Sequence, residues 1–407
     1  MNKKLIPAYL LTFVNVLGFS ILMPVLPFIV ESYSAPKWVY GLLITLYSLF
    51  QFVGAPYLGG LSDRLGRKPV LLISQGGTLL SWIIFFIAIL LPEFPVFGFA
   101  FPLIIIALAR VFDGVTGGST SVSNAYVADI TTRKEKSYIF GYLGGIAGLG
   151  MVIGPALGGL SASSSLGYMG TILVSIIISS ITLLTIFFWL KESHPKEKRV
   201  TTKPNSFLGS LLIIKRIRET NPAPIIRLLF SMKIFFSVMM AAYISTVILY
   251  LIDTFDFTEK ELGFFMLVIG LFLSFNQAFV SKRFVEKFGE FTTLIIGLGL
   301  SAFGIICITL TANLWLYLAF YYFLNLGLSL CFPTFNALIS IHADPEKLGE
   351  VMGISESINS FSMALTPVVV TFIYGIIGYQ VYYYVAVMPI IAMIIAFYGR
   401  KSLVKVG

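Results

Sequence analysis

Charged side chains are scarce in this sequence of 407 residues, where Asp, Glu, Lys and Arg make up 12% and hydrophobic residues 57%. A water-soluble chain of this length needs far more polar surface. The composition therefore excludes a soluble globular protein and indicates that lipid surrounds most of the chain. The mean hydropathy of +0.92 leads to the same conclusion.

Cysteine and histidine are also rare, with two residues of each. Cys307 and Cys331 both fall inside apolar runs, which excludes a disulfide framework and indicates small apolar fillers. His194 and His342 lie in polar connections, and no paired-ligand motif such as HExxH occurs. An intramembrane enzyme is therefore disfavoured, and neither a metal ion nor a cofactor is expected.

Long apolar runs are what the sequence has in excess. Twelve runs reach the length of about 20 residues that a helix needs to cross a bilayer. They cover residues 5–30, 39–61, 69–91, 98–127, 138–160, 166–190, 225–252, 262–281, 291–311, 314–341, 350–376 and 379–399. The runs are continuous rather than alternating, which favours helices over barrel strands. We therefore predict an all-α membrane protein with 12 transmembrane helices.

The net charge of +9 is distributed as expected for such a topology. With the amino terminus in the cytoplasm, 24 of the 28 Lys and Arg residues fall on the cytoplasmic side, which is the positive-inside pattern. Lys37 and Lys260 fall outside, and Arg110 and Lys233 fall within spans. Both termini are therefore predicted to be cytoplasmic in a multi-pass protein of the plasma (inner) membrane. The lipid bilayer, not nucleic acid, is the expected partner of the positive charge.

The longest polar interruption, 191–224, separates six spans from six. We predict an N-terminal bundle over 1–190, a cytoplasmic linker over 191–224 and a C-terminal bundle over 225–407. Within the linker, 206–219 is either a short amphipathic helix on the membrane surface or a tether with an apolar patch.

The two halves repeat each other. A shift of 223 places "FVEKFGEFTTL" (284–294) under "LSDRLGRKPVL" (61–71), and a shift of 212 places Pro367 under Pro155. A six-helix repeat with the same topology in both halves is the architecture of one large class of transporter.

One short loop, "GGLSDRLGRKP" (59–69), concentrates charge between two apolar runs. A cytoplasmic position explains its basic residues Arg64, Arg67 and Lys68. It does not explain Asp63. The small residues of the loop, Gly59, Gly60 and Gly66, permit close approach and a sharp turn.

Together with two further motifs, this loop resembles the major facilitator superfamily (MFS), specifically its 12-span drug:proton antiporter branch, which includes tetracycline and multidrug exporters. The second motif is "ALARVFDGVTGG" (107–118) in the fourth span. The third is the glycine–proline pattern of the fifth span, formed by Gly141, Gly150, Gly154, Pro155, Gly158 and Gly159. "GFSILMPVLP" (18–27) and "AYVADIT" (125–131) are also similar to this branch, so the resemblance covers the whole chain.

The resemblance implies two pseudo-symmetric six-helix bundles with both termini cytoplasmic. It implies that Asp63 stabilises the outward-open state by meeting the start of the eleventh span near Leu348. Arg64, Arg67 and Lys68 would complete a charge lock that breaks when the halves rock. The fifth-span glycines would pack that span closely and prevent leakage.

The implied function is secondary active export of small lipophilic drugs or metabolites by alternating access. The implied energy source is the proton gradient, and the implied form is a monomer without a cofactor.

Four charges inside spans are candidates for coupling. Arg110 lies at mid-span, where a charge costs on the order of 3 kcal/mol, and Asp113 shares its helix face. The two form either a neutralised structural pair or, as the resemblance implies, part of the proton coupling. Lys233 and Glu356 each lie about 12 Å from the cytoplasmic end of their helices. Either they form an ion pair, or Lys233 snorkels to the interface and Glu356 faces a wet cavity.

The sequence departs from the branch at its acidic residues. Tetracycline exporters carry acids at the positions of Asn15 and Ser81, and related multidrug exporters carry them at the positions of Ile244 and Ser329. Because these side chains cannot carry a proton, Glu356 is the best remaining titratable group. A proton-independent facilitator or lipid-like translocator therefore stays open, as does a sensor or scaffold on the same fold.

Polar and methionine side chains are predicted to line the substrate cavity. They are Asn15, Tyr47, Gln51, Asn124, Met240, Asn359 and Met363. Methionine adapts to irregular partners, which favours a large, mostly apolar substrate. Ordinary packing between helices would place these side chains on the same helix faces, so it remains the alternative.

Overall fold

The computed structural model describes residues 6–117, 119–131, 136–195, 199, 222–344 and 348–404. Within them the protein is almost entirely α-helical. The predicted amphipathic segment 206–219 lies outside the described residues.

Eight helices and one hairpin form the first part of the chain. They are α1 (Ile6–Ser20), α2 (Leu26–Ser32), α3 (Trp38–Leu65), α4 (Arg67–Leu90), β1 (Pro95–Val96), β2 (Phe99–Ala100), α5 (Phe101–Thr116), α6 (Ser119–Ile130), α7 (Lys136–Ala162) and α8 (Tyr168–Trp189). The first predicted span is divided into α1 and α2, and Pro27 lies in the first turn of α2, where proline fits because no backbone N–H is needed there.

Seven helices form the second part. They are α9 (Pro224–Phe255), α10 (Glu259–Phe275), α11 (Ser281–Phe288), α12 (Glu290–Cys307), α13 (Leu314–His342), α14 (Leu348–Ile377) and α15 (Val381–Val404). A π-helical turn, Asn276–Val280, joins α10 to α11 without a break.

Ten helical stretches of the described chain are long and apolar enough to cross a membrane. One of these, Val351–Gly399, contains both α14 and α15, the predicted eleventh and twelfth spans. The first predicted span corresponds to α2 together with α1, a shorter apolar helix of 15 residues. The described residues of each of the twelve predicted runs are therefore mainly helical, and the all-α membrane fold is confirmed. The cytoplasmic position of the termini stays a prediction.

The chain divides into two compact units. One comprises the described residues of Met1–Leu211 and Phe257–Leu267, and the other those of Leu212–Asp256 and Val268–Gly407. The first half of α10 thus belongs by its contacts to the first unit. The bundle limits 1–190 and 225–407 stay a prediction from the repeat.

A helix junction in each unit reflects the internal repeat. Gly66 separates α3 from α4 with a φ of 101°, and Gly289 separates α11 from α12 with a φ of 75°. Only glycine adopts such a conformation without strain. The two residues correspond under the shift of 223, so the repeat extends to backbone geometry.

In the first unit, α1 packs against α7, and α5 packs against α3 and α4. In the second unit, α9 packs against α14 and α15, and α12 against α13. Many large apolar side chains remain exposed, including those of Phe188 and Trp189 at the end of α8. Such a surface is the one a helix presents to lipid.

A small hairpin between α4 and α5 was not predicted from the sequence. β1 and β2 pair antiparallel, and the two turn residues Phe97 and Gly98 both have positive φ. This is the two-residue turn that matches the twist of paired strands. The ring of Phe99 contacts that of Trp38 edge-on at 5.8 Å.

The fifth-span glycines form a closely packed seam between α7 and α1. A Cβ atom at Gly150 would lie 2.8 Å from the backbone oxygen of Phe13, and one at Gly154 would overlap the side chain of Ser20. The Ser20 hydroxyl donates to the backbone oxygen of Gly150 at 3.0 Å. Small residues are what allow two membrane helices to approach this closely.

The seam continues to the end of α7. A Cβ atom at Gly158 would overlap the backbone oxygen of Ile21, and Gly159 lies against Gly263 of α10 within the same unit. Pro155 lies inside α7. Gly141 lies near the start of the helix, and its own packing falls outside what the structure describes.

Gly158→Ala is expected to lower the unfolding free energy by about 1–3 kcal/mol, because α1 must move to admit the methyl group. Unfolding of the purified protein in detergent measures this change. Gly145→Ala on the same helix is the matched control, since a Cβ atom there has nothing within 4 Å. An equal effect of both substitutions would show that the seam does not depend on close approach.

Candidate functional site

Arg67, the first residue of α4, is the centre of a charged network at the junction with α3. Its Nη1 lies 2.6 Å from the carboxylate of Asp63, one turn earlier, and 2.6 Å from the hydroxyl of Ser62. Its Nε donates to Asp129, at the end of α6, at 3.0 Å. Arg67 is 6% exposed, so three helices meet on one buried guanidinium.

Glu192, three residues beyond α8, caps the start of α4. Its two carboxylate oxygens accept the backbone N–H groups of Arg67 at 2.9 Å and Lys68 at 3.2 Å. N–H groups in the first turn of a helix have no partner within the helix itself, and the helix dipole also favours a negative charge there. A Cβ atom at Gly66 would lie 2.5 Å from Glu192 Oε2, so glycine is required both for its φ and for this cap.

The other predicted loop residues differ in what they contact. Lys68 Nζ donates to the backbone oxygen of Phe187 at 2.8 Å. Gly59 faces α6, where a Cβ atom would lie 3.6 Å from Ser121 Oγ. Arg64 makes no ion pair within the described part of the chain. The lock expected between Asp63 and the eleventh span stays a prediction.

Asp129 and Glu192 are functional candidates that the sequence alone did not single out. Ser193 Oγ donates to Asp129 at 3.1 Å, and His194 Nδ1 lies 4.0 Å from the same carboxylate oxygen. The available signal was an acid just after the fourth and the sixth predicted span, near a basic loop. Nothing in the spacing shows that residues 125 positions apart meet.

Arg110 and Asp113 form a buried ion pair in the first unit. Asp113 Oδ2 lies 3.1 Å from Arg110 Nη2, and the two residues are 5% and 3% exposed. Three rings surround the guanidinium, with centroids 5.6 Å away for Tyr47, 5.0 Å for Trp82 and 5.5 Å for Phe85. Cation–π contacts and the carboxylate together offset part of the cost of burying this charge.

Glycines let the neighbouring helix cover this pair. A Cβ atom at Gly114 would lie 2.5 Å from the backbone oxygen of Tyr47, and one at Gly54 would lie 2.6 Å from that of Val115. The helices α3 and α5 therefore cross almost backbone to backbone. This crossing places the Tyr47 ring beside Arg110.

An apolar cleft lies next to the pair in the first unit. It is lined by Phe19, Leu22, Met23, Leu26, Tyr40, Leu43, Ile44, Tyr47 and Arg110. Of the predicted cavity residues in this unit, Tyr47 lines the cleft, and its ring stacks on that of Phe19 at 5.3 Å. Arg110, predicted for coupling, supplies its charged group.

The remaining predicted polar residues of this unit lie elsewhere. Gln51 Nε2 donates to Tyr47 Oη at 3.0 Å and to the backbone oxygen of Gly117 at 3.3 Å. Asn15 Nδ2 donates to Ser119 Oγ at 2.7 Å. Asn124 is half-buried on α6. These hydrogen bonds join helices, which is a structural use of polar groups in lipid.

In the second unit, Lys233 is buried but is not paired with Glu356. Its ammonium donates to Ser355 Oγ at 2.6 Å and to Asn336 Oδ1 at 3.4 Å. The residue is 4% exposed, so it does not snorkel to the interface. Successive residues of a helix point about 100° apart, and at this position Ser355 rather than Glu356 faces α9.

Glu356 is exposed on α14 rather than buried. Its carboxylate accepts a hydrogen bond from Asn359 Nδ2 at 3.3 Å, and Asn359 Oδ1 accepts one from Ser237 at 2.6 Å. Met240 and Met363 are half-buried. The structure therefore brings together Glu356, Asn359 and Ser237.

Comparison with known proteins agrees with the motifs. The family model "Major Facilitator Superfamily" matches residues 8–365 and 235–405. The chain is 28% identical over 381 residues to the class H tetracycline resistance protein of Pasteurella multocida, covering 92% of this chain and 90% of that protein. It is 25% identical over 374 residues to the quinolone resistance protein NorA of Staphylococcus aureus, covering 91% and 89%.

A solved structure has a similar fold. It is that of a bacterial homolog of the human lysosomal transporter Spinster, in an inward-facing and unoccupied conformation. The TM-score is 0.77 at 14% identity, over 99% of this chain and 97% of that chain.

Glu192→Gln is expected to lower the unfolding free energy by about 1 kcal/mol, because the cap on the first turn of α4 loses its charge. Glu286→Gln is the matched control, since among the described residues Glu286 forms an ion pair only with Lys282, at 3.8 Å, and both side chains are exposed. That change is expected to stay within about 0.5 kcal/mol. Unfolding in detergent compares the two, and equal effects would refute the capping role.

Proposed function

We propose that this chain, which belongs to the Major Facilitator Superfamily, exports small lipophilic compounds in exchange for protons. Members of this family are membrane transporters of small molecules and not enzymes. The observation that carries the proposal is similarity over about nine-tenths of the chain to both a tetracycline and a quinolone resistance protein. We place the protein in the plasma (inner) membrane, as a monomer.

The first unit supports a lipophilic substrate. Its cleft presents apolar and aromatic side chains and Arg110, whose charge is balanced by Asp113. A site of this kind binds ligands that bury apolar surface in it and that match its few polar groups. Met23 in the lining adapts its shape to different substrates.

The charged network around Arg67 supports alternating access. It joins α3, α4 and α6 through ion pairs and hydrogen bonds, and Glu192 fixes it to the end of α8. We propose that Asp63, Arg67 and Lys68 form the conformational lock, with Gly59 and Gly66 permitting the tight junction. Arg64 would act through its charge alone.

We propose Glu356 as the proton-coupling carboxylate. Within the described residues it is in no ion pair, since the ammonium of Lys233 is held by the neutral oxygens of Ser355 and Asn336. Asp113, by contrast, is paired with Arg110. A carboxylate that is accessible and unpaired can bind and release protons as the transporter cycles.

A facilitator without proton coupling is the second candidate. It is favoured by Asn15 and Ser81, which stand where tetracycline exporters carry acids. In the structure both side chains donate hydrogen bonds, Asn15 to Ser119 of α6 and Ser81 to the backbone oxygen of Thr78 on its own helix. Substrate would then equilibrate across the membrane without responding to pH.

Reconstituted vesicles test the proposal with a fluorescent lipophilic cation. Transport by the parent is expected to accelerate when a pH gradient is imposed, and Glu356→Gln is expected to transport at the same rate with and without the gradient. Glu286→Gln, a carboxylate of the same unit, should keep the response. A gradient response retained in Glu356→Gln would remove Glu356 from the coupling, and no response in the parent would favour the facilitator.

A further inference from the structure

Two hydrogen-bond donors of Arg110 are buried and unused. Neither Nε nor Nη2 has a hydrogen-bond partner among the described residues. Asp113 Oδ2 lies 3.1 Å from Nη2, within ion-pair distance but outside hydrogen-bond geometry. The carboxylate thus balances the charge without satisfying the donors. A buried donor left without an acceptor is costly, so this edge of the guanidinium favours a partner.

The surroundings restrict how a partner approaches. The rings of Tyr47, Trp82 and Phe85 lie 5.0–5.6 Å from the guanidinium carbon, and among the described residues none of these three accepts a hydrogen bond from Nε or Nη2. Arg110 also lines the apolar cleft. Nε and Nη2 are on one side of the planar group, so one oxygen atom can accept from both. Nε and Nη2 are themselves almost completely covered, so a molecule in the cleft would meet the unused edge with an oxygen atom once the neighbouring side chains move aside.

The charge balance decides which kind of oxygen fits. Arg110 and Asp113 together are neutral, so a carboxylate ligand would add an uncompensated negative charge to an apolar site, which is strongly unfavourable. A ketone or amide oxygen accepts both N–H groups without adding charge. A hydrocarbon would leave the donors unsatisfied.

We propose that the unpartnered edge of Arg110 recognises a neutral carbonyl-type oxygen on an otherwise apolar substrate in the cleft of the first unit. This inference rests on the proposed function, since it names the chemistry of the compounds exported. Arg110 is then a specificity-determining residue, and the apolar lining holds the body of the substrate.

Three ligands of similar size test how much the carbonyl oxygen contributes to binding. Dibenzyl ketone and 1,3-diphenylpropane differ only in a carbonyl in place of a methylene group, and diphenylacetate adds a negative charge. Binding of tritiated dibenzyl ketone to the purified protein is measured, and each of the other two compounds is added as a competitor for the same site. We expect the ketone to bind at least about tenfold more tightly than the hydrocarbon, the scale of a hydrogen bond to a charged donor. The acid should bind most weakly.

The variant Arg110→Met/Asp113→Asn removes the donors and keeps the site neutral. In it the ketone and the hydrocarbon should compete equally, whereas Lys282→Gln, an exposed residue of the other unit, should keep the parent's ratio. A second variant, in which Trp82 is the only tryptophan left, reports where the ligand binds. A ligand beside Arg110 is expected to change the fluorescence of Trp82, whose ring lies 5.0 Å from the guanidinium carbon. This protein keeps Arg110 intact, so it tests the site even if the double variant does not fold.

The outcomes separate this inference from the proposed function. A ratio near one in the parent would show that water alone satisfies Arg110, and tighter binding of the acid would refute the charge argument. Either result overturns the inference and leaves gradient-driven export untouched. A tenfold ratio that depends on Arg110, in a protein without gradient-driven transport, would instead sustain the inference and overturn the proton coupling.

Discussion

A charge inside an apolar helical bundle must be balanced within the bundle, and the first unit is built around that constraint. Arg110 is almost completely buried, and Asp113, one turn along the same helix, balances it. The pair is covered only because Gly114 brings α3 onto α5 and so brings the Tyr47 ring over the guanidinium. The second unit meets the same constraint differently, since Lys233 is surrounded by hydroxyl and amide oxygens.

The internal repeat relates the charged pair of the first half to a pair of neutral polar residues in the second half. Under the shift of 212, Arg110 and Asp113 correspond to Tyr322 and Asn325. Tyr322 Oη donates to Asn276 Oδ1 at 3.3 Å, and Asn276 Nδ2 donates to Asn325 Oδ1 at 3.3 Å. Both halves thus keep a polar pair at this level of the helix. Among the described residues, only the first half carries it as ions.

The fold could be predicted because hydrophobic length and charge asymmetry are properties of the sequence itself. The described residues of the twelve apolar runs are mainly helical, and the glycine junctions at Gly66 and Gly289 follow from the repeat. Contacts between residues far apart in the sequence could not be predicted from these properties. The cap that Glu192 places on α4 depends on how α8 lies beside that helix.

The ion pair of Arg110 and Asp113 could be predicted because the two residues are neighbours on one helix. For Lys233, the structure shows neither the ion pair with Glu356 nor snorkelling, because depth along two helices does not fix their rotation. A difference of one residue on α14 presents Ser355 to the ammonium and leaves the carboxylate exposed.

The glycine seam between α1 and α7 has a mechanical consequence. Where backbone touches backbone, as Gly150 does with Phe13, no flexible side chain lies between the helices to absorb a displacement. Helices that slide past each other normally do so by changing side-chain rotamers at the interface. At Gly150 and Gly158 the interface has no such rotamers to change, so we expect α1 and α7 to move together as one rigid element.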